Sequence, residues 1–446
     1  MIKKYSFFIL LFLALVIGTI FWWRFFGSFD ISNDAAQYQE AALNLLENQN
    51  FRINGELSMM REPGYPFFLA VIYKIFGVHP WAVRVVQFLL HFGIVIITYF
   101  LAKKFFGNFS ARLSSFSVAI YPMFNILTSW LISEILACFL VMIFLLIFYF
   151  ASEKEKYYLY ALAGLILGCL AMVKAIFAPA IVIFLVLIIF QKNKYSWRAN
   201  LKKASVFLFF FLLLVVPWLF RNYSNFQQFS LSSRNGVVLF IRASRNNYDF
   251  EQAKKYIISS LSGEYLVRRF IDPNYNFEND YVGKSALRES MAKAGENLET
   301  DNYDKIDIEL KKEAINLIKE HPVKYLFFGL IEVSNLNSPM IYYERHFSIF
   351  HDSIYGQAFL KIFLILVLRL IWWLFVGLVI YAIYKSSREK KAVLYASILL
   401  ILYINAIIFF LHGNPRFLIP AFPLYLMFCA YSLQILIGKL MRHSLV

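Results

Sequence analysis

Residues 130–151, WLISEILACFLVMIFLLIFYFA, decide the fold class of this chain. Their single charged side chain is Glu134, and a helix needs about 20 mainly apolar residues to cross a hydrocarbon core about 30 Å thick. The rest of the 446 residues has the same character: 60% are hydrophobic and 16% are charged, whereas soluble domains carry about 45–50% and about 25%. A soluble protein has too little interior to bury so many apolar side chains. The sequence therefore predicts an all-α integral membrane protein.

Ten stretches of this kind are predicted to span the membrane. They are 5–26, 81–101, 111–127, 130–151, 157–173, 175–191, 204–220, 358–384, 392–412 and 417–438. The first also resembles a signal peptide because Lys3 and Lys4 precede it, but it is too long and ends in aromatic residues without a small-residue cleavage site. We expect it to remain as a membrane anchor.

The basic charge of the chain is a signal of topology. The formal net charge is +16, which by itself would also suit a nucleic-acid partner. With the N-terminus inside, the cytoplasmic segments hold 18 Lys and Arg against three acids, and the rest of the chain holds 26 against 25. This asymmetry follows the positive-inside rule. It predicts membrane lipids and no nucleic acid as partners, a plasma membrane location and both termini in the cytoplasm.

The predicted spans divide the chain into three parts. Residues 1–220 form an N-terminal membrane module with seven spans and a first outer loop at 27–80, residues 221–357 form a large outer loop of mixed charge, and residues 358–446 add three spans. Within the large loop, 304–320 is predicted as an amphipathic helix with Ile308, Ile315 and Ile318 on its apolar side. The two halves show no internal repeat, which weakens the case for a secondary transporter.

Motifs of nucleotide-driven and metal-thiolate chemistry are absent from the sequence. Cys138, Cys169 and Cys429 lie in apolar runs, and there is no HExxH, Walker or dinucleotide-binding pattern. The spacing Gly164-xxx-Gly168 predicts close helix packing rather than a nucleotide loop. Carriers, channels and membrane enzymes that use activated lipids remain.

The first outer loop contains a candidate catalytic acid, Asp34. Residues 34–46 are predicted to form a short amphipathic helix at the membrane surface, with Asp34 at its start and Tyr38 one turn later. One interpretation is an N-cap or first-turn acid that the helix dipole favours. The other is a carboxylate at the outer face that accepts a proton from an incoming hydroxyl group.

The segment Arg61-Glu62-Pro63-Gly64-Tyr65-Pro66 precedes an apolar stretch that is too short to span. Its prolines and glycine break regular structure, so it is predicted to enter the interface and turn back under a cover of protein. Arg61 is either an interfacial side chain that reaches the headgroups or a phosphate ligand, for which a guanidinium is well suited.

Four more ionisable residues are predicted to face the outer side. Glu134 is the only acid in any predicted span, Lys174 lies between two spans, Arg221 follows Pro217-Trp218, and Arg416 opens the last span. Ionisable groups at membrane depth are costly and mark functional sites. An anionic substrate that arrives from the membrane explains this mixture of carboxylates and cations better than an ion path does.

Together these motifs resemble the GT-C superfamily of integral membrane glycosyltransferases. The similarity is to the branch with dolichyl-phosphate-mannose–protein mannosyltransferases and the bacterial aminoarabinose transferases of lipid A. The residues that carry it are Asp34 with Tyr38, Arg61 to Pro66, Ser133-Glu134, Met172 to Lys174, Pro217 to Tyr223, and Pro415-Arg416-Phe417. Many members have Lys-Pro where this chain has Arg61-Glu62-Pro63, so either Arg61 or Glu62 could occupy the ligand position.

The resemblance implies an inverting transfer from a polyprenyl-phosphate sugar to the hydroxyl of a glycan, lipid or protein acceptor on the outer face. It implies catalytic roles for Asp34 and Glu134, with Asp34 either as the general base or as the group that orients the acceptor hydroxyl. The implied substrate-binding residues are Tyr38, Arg61, Glu62, Tyr65, Lys174, Arg221 and Arg416. The gathered carboxylates are compatible with a divalent cation such as Mg²⁺ or Mn²⁺, although the sequence shows no dedicated metal site.

Two other function classes stay open at this point. A lipid-linked-glycan polymerase or ligase would rely on arginines of the outer loops rather than on Asp34. A polytopic carrier would place its essential charges near the middle of the bilayer, whereas the notable charges here are predicted at one face.

Overall fold

Helices make up nearly all of the structure, which is a computed structural model. It describes residues 2–26, 33–47, 49–191, 196–277, 283–293, 306–338, 358–387, 392–413 and 415–443. The α-helices within these ranges are α1 Ile2–Phe26, α2 Asn33–Glu47, α3 Gly64–Phe76, α4 Pro80–Phe106, α5 Asn108–Ile120, α6 Pro122–Leu127, α7 Glu134–Lys154, α8 Tyr157–Val173, α9 Ala180–Ile189, α10 Trp197–Phe226, α11 Asn235–Ala243, α12 Phe250–Ser262, α13 Glu264–Phe270, α14 Lys284–Lys293, α15 Asp307–Glu320, α16 Pro322–Leu336, α17 Ala358–Ser386, α18 Ala392–Phe410 and α19 Phe422–His443. Three 3₁₀ segments are Ala175–Phe177, Ser244–Asn247 and Pro415–Ala421.

Six helical segments in the described part of the chain are long and apolar enough to cross a membrane. They are Phe7–Arg24, Pro80–Phe106, Glu134–Lys154, Trp197–Phe226, Ile365–Ser386 and Pro415–Met441. Shorter apolar helices are Gly64–Phe76, Tyr157–Val173, Ala175–Ile189 and Leu394–Phe410. The predicted all-α membrane class is confirmed, while the count of ten spans stays a prediction.

The third predicted span, 111–127, is divided between α5 and α6. Tyr121 has an extended backbone, with φ −62° and ψ 120°, directly before Pro122. The ring of a proline disfavours helical geometry in the residue before it. This local clash ends α5 at Ile120 and restarts the helix at Pro122.

The chain folds as two compact units. Unit 1 consists of Met1–Ser232, Leu378–Leu402 and Ile419–Val446, and unit 2 consists of Ser233–Gly377 and Tyr403–Leu418. The predicted division at 220 and 357 stays a prediction, since it rests on spans and loops rather than on packing.

Helices α8 and α10 of unit 1 pack closely through two glycines. A Cβ atom at Gly164 would overlap the carbonyl oxygen of Phe207, and one at Gly168 would lie 3.1 Å from the carbonyl oxygen of Phe211. Small residues let the backbones of neighbouring helices approach each other. The predicted packing role of the Gly164-xxx-Gly168 spacing is therefore confirmed.

A short hairpin lies between α2 and α3. Strand β1, Arg52–Ile53, pairs antiparallel with β2, Glu56–Leu57. The turn residues Asn54 and Gly55 have φ values of 55° and 75°, as expected for an Asn-Gly turn between two strands. The hairpin follows α2 and brings the chain back to Arg61 and α3.

In unit 2, the buried side of α15 differs from the predicted one. Leu310, Ala314 and Leu317 are buried, whereas Ile308 is 45% exposed and Ile315 is 37% exposed. The helix carries two apolar stripes, and the stripe with Leu310, Ala314 and Leu317 is the more buried one. The predicted end of the helix before His321-Pro322 is confirmed.

Candidate active site

The guanidinium group of Arg61 is held by two side chains of α2. Its Nη2 donates a hydrogen bond to Asp34 Oδ1, and its Nε donates to Gln37 Oε1 at 2.8 Å. Asp34 and Gln37 are three residues apart, so they share one face of the helix. Arg61 is only 6% exposed, and a buried cation needs such partners. The guanidinium is therefore fixed in one orientation.

The Tyr38 ring packs next to this guanidinium, and Tyr65 packs on Tyr38. The central carbon of the guanidinium lies 5.3 Å from the ring centroid of Tyr38, and the Tyr38 ring meets Tyr65 edge to face at 5.0 Å. The Tyr65 hydroxyl donates to Gln87 Oε1 at 2.9 Å. Gln87 Nε2 in turn donates to the carbonyl oxygens of Thr128 and Trp130, at 3.1 and 2.8 Å. Tyr65 is thus anchored through α4 to the chain that precedes α7.

The segment after Arg61 packs against the end of α8. Glu62 Oε1 accepts a hydrogen bond from the backbone N–H of Ala175 at 3.2 Å. A Cβ atom on Gly64 would lie 2.7 Å from the carbonyl carbon of Met172, so glycine is required for this approach. The segment that begins at Arg61 thus meets the end of α8, although Glu62 and Ala175 are 113 residues apart in sequence.

Glu134 and Lys174 form a second ion pair in unit 1. Lys174 Nζ lies 3.0 Å from Glu134 Oε1, and the two side chains are 11% and 1% exposed. Glu134 is the first residue of α7, where the helix dipole favours an acid, and Lys174 directly follows α8. Such a partner stabilises a nearly buried carboxylate.

The charges of Arg61 and of three nearby acids act on the Tyr38 phenol. Burial raises the pKa of Tyr38 to about 12, the positive charge of Arg61 opposes part of this increase, and the acids Glu62, Asp34 and Glu134 add to it. The phenol therefore stays protonated at neutral pH and can donate a hydrogen bond. The structure brings together seven of the residues that the sequence predicted, namely Asp34, Tyr38, Arg61, Glu62, Tyr65, Glu134 and Lys174.

Arg221 lies at the end of α10 and holds the first outer loop. Its Nη1 donates to the carbonyl oxygen of Ser58 at 2.8 Å, and its Nη2 donates to that of Phe51 at 3.3 Å. Its guanidinium also lies 4.8 Å from the ring centroid of Trp218. These contacts stabilise the hairpin between Phe51 and Ser58, and the predicted contact of Arg221 with substrate stays a prediction.

Arg416 lies in the 3₁₀ segment Pro415–Ala421. It belongs to unit 2, whereas the site around Arg61 belongs to unit 1. Its predicted role in substrate binding stays a prediction. Asp30, a further acid of the first outer loop, lies outside the described residues.

The described residues do not fit a resident divalent cation. No three His, Cys, Asp or Glu side chains in the described ranges come close enough to hold a metal ion. Asp34 is engaged by Arg61 and Glu134 by Lys174, and a divalent cation usually needs several oxygen ligands at once. We therefore assign no step of the chemistry to a metal.

Gln37 and Gln87 are site residues that sequence reasoning missed. Gln37 orients Arg61, and Gln87 anchors Tyr65. The signals were present: Gln37 is one turn from Asp34 on an amphipathic helix, and Gln87 is a polar residue inside an apolar span. Neither residue is charged, so neither stood out among the ionisable side chains.

A known protein family matches the part of the chain that contains most of these residues. The family model described as dolichyl-phosphate-mannose-protein mannosyltransferase matches residues 61–220. The match includes Arg61, Glu62, Tyr65, Glu134 and Lys174. No curated protein sequence matches the chain significantly.

Solved structures with the same architecture include archaeal oligosaccharyltransferases. AglB from Archaeoglobus fulgidus, in complex with an inhibitory peptide and a dolichol-phosphate, matches with a TM-score of 0.51 at 13% identity, over 99% of this chain and 52% of its own. The oligosaccharyltransferase of the same organism in complex with Zn and sulfate gives 0.52 at 15% identity, over 96% and 49%. The chain has a GT-C fold. This confirms the resemblance inferred from the sequence, at the level of fold.

The chain spans about half the length of these oligosaccharyltransferases. ArnT from Cupriavidus metallidurans bound to undecaprenyl phosphate matches with a TM-score of 0.41 at 12% identity, over 94% of this chain and 76% of its own. With its apolar helices and its GT-C fold, the chain is a multi-pass membrane protein.

Proposed function

We propose that this protein is an inverting glycosyltransferase that moves a sugar from a polyprenyl-phosphate donor to an acceptor hydroxyl group. The observation that carries the proposal is the Arg61 guanidinium, which Asp34 and Gln37 hold in place. A fixed cation beside a carboxylate matches the two needs of this reaction. The leaving phosphate needs a positive charge, and the acceptor hydroxyl needs a base.

The bond between the anomeric carbon and the phosphate oxygen would break, and a bond from that carbon to the acceptor oxygen would form. The acceptor proton would pass to the Asp34 carboxylate. Polyprenyl phosphate would leave with the electron pair, and Arg61 would stabilise its charge. AglB was solved with a dolichol-phosphate, which is a lipid phosphate of the class that we propose as the donor.

The ion pair between Asp34 and Arg61 suggests how donor binding prepares the base. A donor phosphate competes with Asp34 for the same guanidinium, because Arg61 already donates to both Asp34 and Gln37. As the phosphate takes up the positive charge of Arg61, which Gln37 keeps in place, the hold of Arg61 on Asp34 would weaken and Asp34 would become available to the acceptor hydroxyl. Lys174, held by Glu134 at 3.0 Å, would supply a second positive charge for the phosphate.

The proposed reaction takes place on the extracytoplasmic face of the plasma membrane. The charge asymmetry of the loops supports cytoplasmic termini and an outer position for the loop with Asp34 and Arg61. The acceptor is a glycan, lipid or protein that reaches this face. The N-terminal module 1–220 would carry the chemistry, with 221–357 as an outer loop domain and 358–446 as a second membrane module.

The test is transfer from a panel of radiolabelled polyprenyl-phosphate sugars in membranes that contain the protein. We expect one sugar of the panel to be transferred with inversion at the anomeric carbon, and Arg61→Ala to abolish the transfer. Membranes with Glu47→Gln serve as a control, since Glu47 is exposed at the far end of α2. If no polyprenyl-phosphate sugar is consumed by the wild-type protein, the proposal is wrong.

A further inference from the structure

Unit 2 contains a buried polar cluster that the proposed transfer does not use. Its centre is Glu332 on α16, surrounded by Arg242 and Arg245 from α11 and the 3₁₀ segment after it, Tyr256 from α12, and His412 after α18. Arg242, Arg245, Tyr256 and Glu332 are 0% exposed. Charged groups are rarely buried this deeply without a reason.

The carboxylate of Glu332 is fully engaged within this cluster. Its Oε1 lies 2.8 Å from Arg245 Nη1 and accepts from the Tyr256 hydroxyl at 2.7 Å. Its Oε2 accepts from the backbone N–H of Gly413 at 3.0 Å and lies 3.3 Å from His412 Nδ1. The cluster thus holds two guanidinium groups and one carboxylate, and the carboxylate pairs with Arg245.

Arg242 is left with hydrogen-bonding capacity that no protein group meets. Its Nη2 donates to the carbonyl oxygen of Tyr325, and its guanidinium carbon lies 4.3 Å from the Tyr325 ring centroid. Its Nε and Nη1 have no hydrogen-bond partner, and these nitrogens carry three of the five N–H groups of a guanidinium. Buried N–H donors without acceptors are costly, so an anionic acceptor would stabilise these two nitrogens.

An apolar groove is lined in part by Tyr325, the residue whose ring packs on the Arg242 guanidinium. The groove has a volume of about 380 Å³ and is lined by Leu239, Ile318, Pro322, Tyr325, Leu326, Phe410 and Leu411. Leu239 precedes Arg242 by three residues, on the same face of α11. The lining side chains are apolar or aromatic, so the groove favours a hydrocarbon chain over a free phosphate ion.

We propose that unit 2 binds an anionic phospholipid, with its phosphate at Arg242 and an acyl chain in this groove. The guanidinium supplies charge and donors for the phosphate, and the groove supplies an apolar surface for the chain. Arg242 is closed off from solvent, so the headgroup reaches it through a shift of the Tyr325 side chain, which both covers the guanidinium and lines the groove. The site does not depend on the proposed transferase activity.

Native mass spectrometry of the full-length protein in detergent tests the charge part of the proposal. The probes are phosphatidylglycerol and phosphatidylcholine, which share acyl chains but differ in net charge. We expect the wild-type protein to bind phosphatidylglycerol at least about tenfold more tightly. Arg242→Gln should remove this preference, and Arg269→Gln, which removes the same charge from an exposed position of α13, should keep it. Equal binding of the two lipids by the wild-type protein would overturn the proposal.

A second variant tests the groove and does not alter the buried cluster. Leu326 is 47% exposed in the groove wall, so Leu326→Trp should fold normally and fill the space for the chain. We expect phosphatidylglycerol binding to weaken by at least about tenfold, and free glycerol phosphate not to compete at equal concentration. Unchanged lipid binding by Leu326→Trp, or equal binding of glycerol phosphate, would overturn the groove as the lipid site even if Arg242→Gln does not fold.

Discussion

Substituting Asp34 by Asn separates the structural role of this residue from its chemical role. Asp34 accepts a hydrogen bond from Arg61 in the first turn of α2. An amide oxygen can still accept that bond, and Asn is as favourable as Asp at a helix start. An amide cannot take a proton at neutral pH, however, so a general base at this position would be lost.

The structure sets the scale of each effect. The side chains of Arg61 and Asp34 are 7% and 21% exposed, so their pair lies between a surface pair worth about 0–1 kcal/mol and a buried pair whose disruption costs about 3–5 kcal/mol. Because the hydrogen bond survives, we expect Asp34→Asn to cost about 1–2 kcal/mol of stability. Loss of a general base should lower turnover by about 10²–10⁴-fold, which is about 3–5 kcal/mol of barrier. The kinetic effect should therefore exceed the structural one.

The assay combines three measurements on the purified protein in lipid nanodiscs. Single-turnover transfer from a radiolabelled polyprenyl-phosphate sugar gives the rate, equilibrium binding of the same donor gives its affinity, and thermal unfolding gives stability. We expect the rate of Asp34→Asn to fall and the donor affinity to stay the same or rise, because the phosphate no longer competes with a carboxylate for Arg61. Glu47→Gln, the same chemical change at the exposed end of α2, should behave like the wild-type protein.

The reasoning is refuted if Asp34→Asn transfers sugar at the wild-type rate. Asp34 would then be a first-turn acid that orients Arg61, and Asp30, Glu62 or Glu134 would become the candidate bases. A variant that loses donor affinity together with its rate would also contradict the competition between Asp34 and the phosphate.

Four further predictions follow from the same structure and sequence. Arg61→Ala should weaken binding of the polyprenyl-phosphate sugar by at least about tenfold, with Arg61→Lys restoring only part of it; unchanged affinity of both variants by equilibrium binding would contradict the assigned role. Reporter fusions after Asn193 and Asn297, which both lie outside the described residues, should report opposite sides of the membrane, and the same side for both would contradict the topology. Gly164→Val should lower the unfolding temperature by several degrees in a thermal melt, because the valine side chain would overlap the backbone of α10. An unchanged unfolding temperature would contradict the close packing of α8 on α10. Burial raises the pKa of Glu332, but nearby positive charges outweigh burial and lower the pKa overall. The ionised Glu332 therefore contributes stability above its unfolded pKa of about 4.5, and this contribution is lost as the pH falls below that value. Thermal melts between pH 6 and pH 4 should show the loss of stability in the wild-type protein and a smaller loss in Glu332→Gln.

The sequence by itself determined the features that depend on composition and on short-range chemistry. The membrane class follows from the density of apolar residues, since no soluble core could bury them. Helix α2 follows from its amphipathic pattern with Asp34 at its start, and the close packing of α8 on α10 follows from the spacing of Gly164 and Gly168. The resemblance to GT-C enzymes also rests on short motifs, each of which can be seen without the fold.

Tertiary structure alone decided which of these residues meet. No spacing in the sequence pairs Arg61 with Gln37, or Lys174 with Glu134, because these contacts join segments whose approach is set by the packing of whole helices. For the same reason α15 buries Leu310 rather than Ile308: the helix carries two apolar stripes, and the partner helix α11 selects one of them. A helical pattern fixes which residues share a face, but only the neighbour that packs there decides which face becomes the core.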